Sequence, residues 1–212
     1  TMEEYIDSKK NLIIHQNAFS KTVLNLDNET TNDLESIVRG HLVKFSRKDV
    51  PECGAFLSDD GYLCYNNYSI TEKILHKDTI RIPGIHNVEN YLAAISAVWG
   101  EVSLEDIRDM AENFGGVEHR IEFVRELDGV KWYNDSIATS PTRVLAGLNS
   151  FDQKLIVIAG GYDKKVSFDD FAKELKGKVK CLVLLGQTAQ QIADTVKKYG
   201  FDNIIFTQSL EE

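Results

Sequence analysis

Residues 154–165 read KLIVIAGGYDKK, an apolar run that stops at two glycines and a polar turn ending in two lysines. Lys154 to Ala159 has the make-up of a strand, and Gly160-Gly161 ends it. The pattern recurs downstream, where Val179 to Leu185 stops at Gly186-Gln187-Thr188 and Asn203 to Phe206 forms a third run. Helical spacing fills the intervals, near Phe168 to Leu175 and Ala189 to Tyr199, with one more helix ahead of the first strand near Pro141 to Leu148. Strands alternating with helices predict parallel pairing through helical crossovers, so this half reads as a Rossmann-like α/β sheet.

Upstream the texture differs. Ile121 to Leu127 and Val130 to Asn134 flank Asp128-Gly129, a hairpin signal, and Cys53 to Asn66 holds two alternating runs joined around Asp59-Asp60-Gly61, a second one. A short strand is expected at Lys21 to Asn25. Pro83-Gly84 breaks the chain before a helix near Asn87 to Trp99, whose packed side is marked by Leu92, Ala93, Ile95, Ser96 and Trp99, and a further helix follows near Ser103 to Phe114. Gly115-Gly116 is the expected boundary between two domains, residues 1–115 and 116–212.

At the amino end, Thr1-Met2-Glu3-Glu4 has the form of a capping box. Met2, Tyr5, Ile6, Leu12 and Ile13 then share one helical face, and Lys9 lies on that stripe, where an unpaired ammonium would be costly to bury. One reading lays the Lys9 stem along apolar surface with its head in water. At the other end Ser209-Leu-Glu-Glu212 reads as a second capping box whose helix does not follow, so the sequence is expected to be a piece cut at both ends, with vector residues or a loose tail as the other reading.

The composition is that of a globular protein, and a net charge of -9 argues against general affinity for nucleic acid or anionic lipid. Three widely spaced cysteines, Cys53, Cys64 and Cys181, fit neither a disulfide framework nor a zinc site, and no apolar run approaches the roughly 20 residues that cross a bilayer. A reduced, cytoplasmic setting is the expectation.

Ligands collect beyond the carboxyl ends of strands in open parallel sheets. Three such ends carry polar clusters: Tyr133-Asn134-Asp135-Ser136, Gly160 to Lys165, and Gly186-Gln187-Thr188. The double glycine reads either as a tight turn or as a close approach to a ligand, with Lys164 and Lys165 able to meet an anion. His119-Arg120 places a titratable ring and a fixed cation just before a strand, for gripping a nucleotide or for a surface ion pair. Asn87 and Asn90 at a helix start are an N-cap with an exposed amide, or a binding pair. The sequence holds no Gly-x-Gly-x-x-Gly after a strand, no Gly-x-x-x-x-Gly-Lys-Ser/Thr, no His-Glu-x-x-His and no Gly-x-Ser-x-Gly, which disfavours a dehydrogenase, a P-loop enzyme, a zincin or an α/β hydrolase.

Four motifs in order, Gly84-Ile-His-Asn-Val-Glu-Asn-Tyr-Leu-Ala-Ala94, His119-Arg-Ile-Glu122, Asn134-Asp-Ser-Ile-Ala-Thr-Ser-Pro-Thr142 and Gly160-Gly-Tyr-Asp-Lys164, resemble those of the Mur ligases. Asn134-Asp135-Ser136 resembles the branch that adds D-glutamate to UDP-N-acetylmuramoyl-L-alanine, since other members and folylpolyglutamate synthetase usually carry an Asp-Tyr-Ala-His or Asp-Gly-Ala-His sequence there. The resemblance implies the C-terminal part of a central ATPase domain followed by a Rossmann-like C-terminal domain. It further implies ATP and Mg²⁺ as cofactors, small-molecule substrates, no obligate protein partner, and an acyl phosphate as intermediate.

By the same carry-over Lys9 is the lysine that carbon dioxide converts to a metal-binding carbamate. Asn87 and Asn90 lie near the adenine, Arg120 and Asp135 near the ATP phosphates and ribose, and His119 beside them, while Thr139 and Lys164 face D-glutamate. Ile137 departs from the pattern, standing where many members have a lysine, and Lys165 is a candidate replacement. Because the P-loop, further metal ligands and uridine-binding domain of the family are not in the sequence, the chain alone is expected to be inactive. Another Mur-type or folylpolyglutamate ligase, or a non-catalytic nucleotide-binding module, are the competing readings.

Overall fold

The computed structural model describes residues 1–163 and 165–209, leaving out the side chain of Thr142. The chain divides into two compact units, Thr1–Phe114 and Gly115–Glu212.

The first unit opens with α1 (Met2–Ile14), whose start is closed by both halves of a capping box: Thr1 Oγ1 accepts from the Glu4 amide, and the Glu4 carboxylate accepts from the Thr1 amine. Most of the apolar stripe on this helix is open to solvent, and Lys9 with it, as the reading that leaves its ammonium in water expects. Met2, Tyr5 and Leu12 are 73%, 59% and 69% exposed, and only Ile13 is buried. Capping forms a helix locally, whereas burial needs a partner surface, and this stripe lacks one among the described residues.

Next come β1 (Lys21–Asn25), α2 (Glu29–Asn32) and β2 (His41–Phe45). The two strands pair in parallel, Lys21 opposite His41 through Asn25 opposite Phe45, a partner strand that the sequence reading did not identify. Strands β3 (Cys53–Leu57), β4 (Tyr62–Asn67) and β5 (Ile70–His76) form an antiparallel sheet in that order, with the expected turn at Asp59-Asp60-Gly61.

Helices α3 (Ile85–Val98) and α4 (Leu104–Asn113) complete the unit. Val43, Leu63, Leu92, Ile95, Ile107 and Ala111 pack in one core. Ser96 lies on the packed side of α3 because its hydroxyl accepts the Ala55 amide of β3, so a buried polar group is satisfied where an apolar one would otherwise sit.

The second unit begins with the hairpin β6 (Glu122–Leu127) and β7 (Val130–Asn134), turning at Asp128-Gly129 with φ of 51° and 77°. These strands form a two-stranded sheet of their own. Tyr133 to Ser136 therefore lie at the end of the expected antiparallel hairpin, which corrects their grouping with the ends of the parallel strands.

Then follow α5 (Pro141–Leu148), β8 (Leu155–Gly160), α6 (Asp169–Lys178), β9 (Val179–Leu185), α7 (Ala189–Lys198) and β10 (Ile204–Phe206). The three strands are parallel in the order β10-β9-β8, the expected Rossmann-like alternation. Leu182 and Leu184 of β9 are fully buried with Leu175 of α6 and Val196 of α7. On the opposite face Ile156, Ile158 and Ile205 are 62%, 48% and 53% exposed. The second capping box falls largely on residues 210–212, outside the described residues.

Candidate functional site

The second unit joins the His119-Arg-Ile-Glu122 and Asn134-Asp-Ser motifs through hydrogen bonds. The Asp135 carboxylate accepts the Ile121 amide at 3.1 Å, and Glu122 accepts the His119 amide at 2.8 Å. The Asn134 side-chain amide reaches His119 Nδ1 at 2.9 Å and Glu122 at 3.4 Å, and the Ile137 amide returns to the His119 carbonyl.

These bonds hold backbone that L-residues disfavour, since His119 has φ of 64° and Ile121, a β-branched residue, 47°. Between them Arg120 has an exposed side chain, while its amide donates to the Val117 carbonyl. Two left-handed residues, tied to the hairpin end by Asn134 and Asp135, thus set the backbone from which the guanidinium projects.

Helix α5 contributes by an omission. A Cβ at Gly147 would come within 2.8 Å of the Asp135 carboxylate, so the helix accommodates that carboxylate only because a glycine stands there. Gly147 is the next-to-last residue of α5, where a glycine reads as a helix-end signal, and its role beside Asp135 was passed over in the sequence reading. Glu122, within the first of these motifs, ties the His119 amide to the Asn134 side chain, a role that its residue type did not announce. Thr139 is exposed, its amide bonded to the Ile137 carbonyl.

At the carboxyl ends of β8 and β9 the two glycine clusters meet. Thr188 donates its amide and its hydroxyl to the Gly161 carbonyl, at 3.2 and 3.3 Å, and the Asp163 amide donates to the Gln187 side chain. The two adjacent glycines differ. A Cβ on Gly160 would lie 1.7 Å from the Leu185 carbonyl oxygen, so strand packing explains it, whereas one on Gly161 would meet nothing within 4 Å. Of the two, Gly161 is the one beside open space. Lys165 is exposed at φ of 56°, its amide held by Asp163, and Lys164 lies outside the described residues.

In the first unit Asn87 is buried and internally satisfied: its amide group donates to the Pro83 carbonyl at 2.6 Å and its carbonyl accepts from Asn90 at 3.2 Å. Asn90 is exposed. Asn87 therefore locks the start of α3, and Asn90 is the member of the pair turned outward. Lys9 is exposed, with its ammonium 5.5 Å from the centre of the Tyr5 ring. Among the described residues no three His, Cys, Asp or Glu side chains come together to hold a metal ion. No described helix is long and apolar enough to cross a membrane.

Comparison with known proteins covers both units. A model of the Mur ligase middle domain matches residues 1–98, and one of the Mur ligase glutamate ligase domain matches residues 119–212. The chain is 51% identical to the UDP-N-acetylmuramoylalanine--D-glutamate ligase of Acetivibrio thermocellus, over 93% of this chain and 42% of that protein. It is 47% identical to that of Clostridium acetobutylicum, over 100% of this chain and 46% of the relative. The chain thus spans less than half the length of these curated relatives.

Among solved structures, a pseudomurein peptide ligase type C from Methanothermus fervidus superposes with a TM-score of 0.68 at 16% identity, covering 100% of this chain and 50% of the other. MurF ligase from Thermotoga maritima, in complex with ADP, gives 0.63 at 19% identity, covering 99% and 48%. At those identities the likeness is one of fold.

Proposed function

The chain belongs to the Mur ligase family, and from that membership we propose that it is part of an ATP-dependent ligase joining D-glutamate to UDP-N-acetylmuramoyl-L-alanine in the making of peptidoglycan precursor. In this reading residues 1–115 are the C-terminal half of the ATP-binding domain and residues 116–212 the ligase domain. The work is cytoplasmic, on small molecules. The substrate carboxylate attacks the γ-phosphate of ATP, ADP leaves, and the amine of D-glutamate displaces phosphate from the acyl phosphate.

The observation that carries the proposal is the pinned segment His119–Glu122 against Asn134-Asp135. Phosphoryl transfer asks a protein chiefly to place fixed cations where charge gathers on phosphate oxygens, and a guanidinium on pre-set backbone does that with little reorganisation. Arg120 takes that role, with His119 and Asp135 positioning it and Asp135 also near the ribose. Asn90 meets the adenine, with Asn87 behind it.

Thr139 and Lys164 face D-glutamate, with Lys165 a candidate for the contact that Ile137 does not make. The role of Lys164 rests on the resemblance alone. Mg²⁺ and a carbamate on Lys9 belong to the longer protein, since the described residues leave Lys9 exposed and without a metal-binding group. The 212 residues by themselves do not turn over.

The test is phosphate release by a protein of the relatives' full length carrying this sequence. Release is expected only when ATP, UDP-N-acetylmuramoyl-L-alanine and D-glutamate are all present, and Arg120→Ala is expected to lower kcat by about a hundredfold or more, as removal of a transition-state donor does. Turnover without D-glutamate, or none with all three, would refute it.

A further inference from the structure

The first unit builds a second tether at the carboxyl ends of its parallel strands. After β1, Asp27 accepts the Ser46 hydroxyl at 2.5 Å and the Arg47 amide at 2.7 Å. Ser46, fully buried just after β2, also accepts the amides of Lys48 at 3.0 Å and Asp49 at 2.8 Å, so the turn at residues 46–49 is wound around one hydroxyl. From that fixed backbone Arg47 Nε donates to Glu89 Oε1 at 2.8 Å, with both side chains 33% exposed. Glu89 sits on α3 directly before Asn90.

The tether reaches the first turns of α3, a helix without a side-chain cap. Its N-cap is Gly84, with φ of 102° and no side-chain hydrogen bond to the first turn. A Ser, Thr, Asp or Asn cap would satisfy an orphan amide there, and a glycine in its place costs only a few tenths of a kcal/mol, so polar ties to this helix act on its placement more than on its stability. Val88, Tyr91 and Leu92 hold the first two turns in the core, and the Asn87 link to Pro83 and the Arg47–Glu89 pair add polar ties to them. An ion pair at this exposure adds little to global stability. Its effect is geometric, linking α3 beside Asn90 to the carboxyl ends of β1 and β2.

We infer that Arg47 is a positioning residue for the nucleotide base, holding α3 through Glu89 so that the outward amide of Asn90 is presented in one place. The inference rests on the reading of Asn87 and Asn90 as adenine contacts. Arg47 touches neither substrate nor reacting atoms in this scheme, so its loss weakens ATP binding and leaves the chemical step alone.

Steady-state kinetics of the full-length protein test it, with Arg47→Ala, Glu89→Gln and the double variant. KM for ATP is expected to rise about five- to tenfold in each single variant, with kcat and the KM for D-glutamate within about twofold of the parent. The double variant is expected to be no worse than either single one, because both remove the same link. Glu89→Gln keeps the side chain's shape and carries the test if Arg47→Ala does not fold. An active parent whose variants keep its KM for ATP, or lose kcat and every KM together, overturns the inference alone. A parent with no ATP-dependent ligation overturns the reading beneath it.

Discussion

At the scale of single residues, the backbone at 119–121 is held against its own preference by side chains from the hairpin end. Asp135 is central, because its carboxylate accepts the amide of Ile121, a residue at φ of 47° and 8% exposed. Asp135→Ala is expected to destabilise the second unit by about 2 kcal/mol and Asp135→Asn, which keeps an acceptor, by about 1 kcal/mol. Urea unfolding reads both, and faster amide exchange at Ile121 locates the cause; an alanine variant as stable as the parent would contradict the account. Lys9 is expected to remain a free amine in the 212-residue chain, since the described residues bring no metal-binding group together. Carbon NMR in labelled bicarbonate checks this, and a stable carbamate resonance would count against it. Sequence showed which residues share a face with Lys9 but not whether anything covers that face, since periodicity reports side-chain direction and burial depends on a partner.

At the scale of elements, the hairpins were legible because Asp-Gly supplies the positive φ their turns require. The strand-helix alternation of the second unit was legible for a similar reason, its first two strand runs ending at glycines. The parallel pairing of β1 with β2 was not, because five-residue runs far apart in sequence carry no local mark of their partner. Gly160 is the point where the parallel sheet is most sensitive: Gly160→Ala would drive a Cβ into the Leu185 carbonyl at φ of 145°, and a loss of about 3 kcal/mol or more is expected on thermal unfolding.

In the antiparallel sheet Tyr65 of β4 is buried, stacked on Trp99 with ring centres 4.0 Å apart, its hydroxyl 3.6 Å from the Cys53 sulfur. Burial first, and the Cys53 thiol second, push its phenol above the ordinary range, and burial does the same to Tyr91. A folded-state pKa above the unfolded one means stability that is complete below the unfolded value and is lost as pH rises toward the folded one. The urea midpoint is therefore expected to hold steady up to about pH 9, to fall as pH rises through the ordinary tyrosine value near about 10 and beyond, and to fall less in Tyr65→Phe. An equal decline in both proteins would remove Tyr65 from the explanation.

At the scale of the whole molecule, apolar surface stands open in the second unit. Ile158, Val183 and Ile205 align in one row across the parallel sheet, with Ile156 beside them, on the face opposite the core residues Leu182 and Leu184. Contiguous apolar surface of this kind marks a covered or interacting face, so the 212-residue chain is expected to bind a dye such as ANS. The double variant Ile156→Lys, Ile158→Lys should bind less while its stability changes by no more than about 0.5 kcal/mol per site. Unchanged dye binding would place the exposed surface elsewhere. The central claim is the ligation of D-glutamate, and product mass tests it most directly: ATP, UDP-N-acetylmuramoyl-L-alanine and an equal mixture of D- and L-glutamate, isotopically distinct, are given to a protein of the relatives' full length carrying this sequence. The account predicts a single amide product bearing the label of D-glutamate; incorporation of the L-label, or ATP consumption with no glutamyl product, would contradict it.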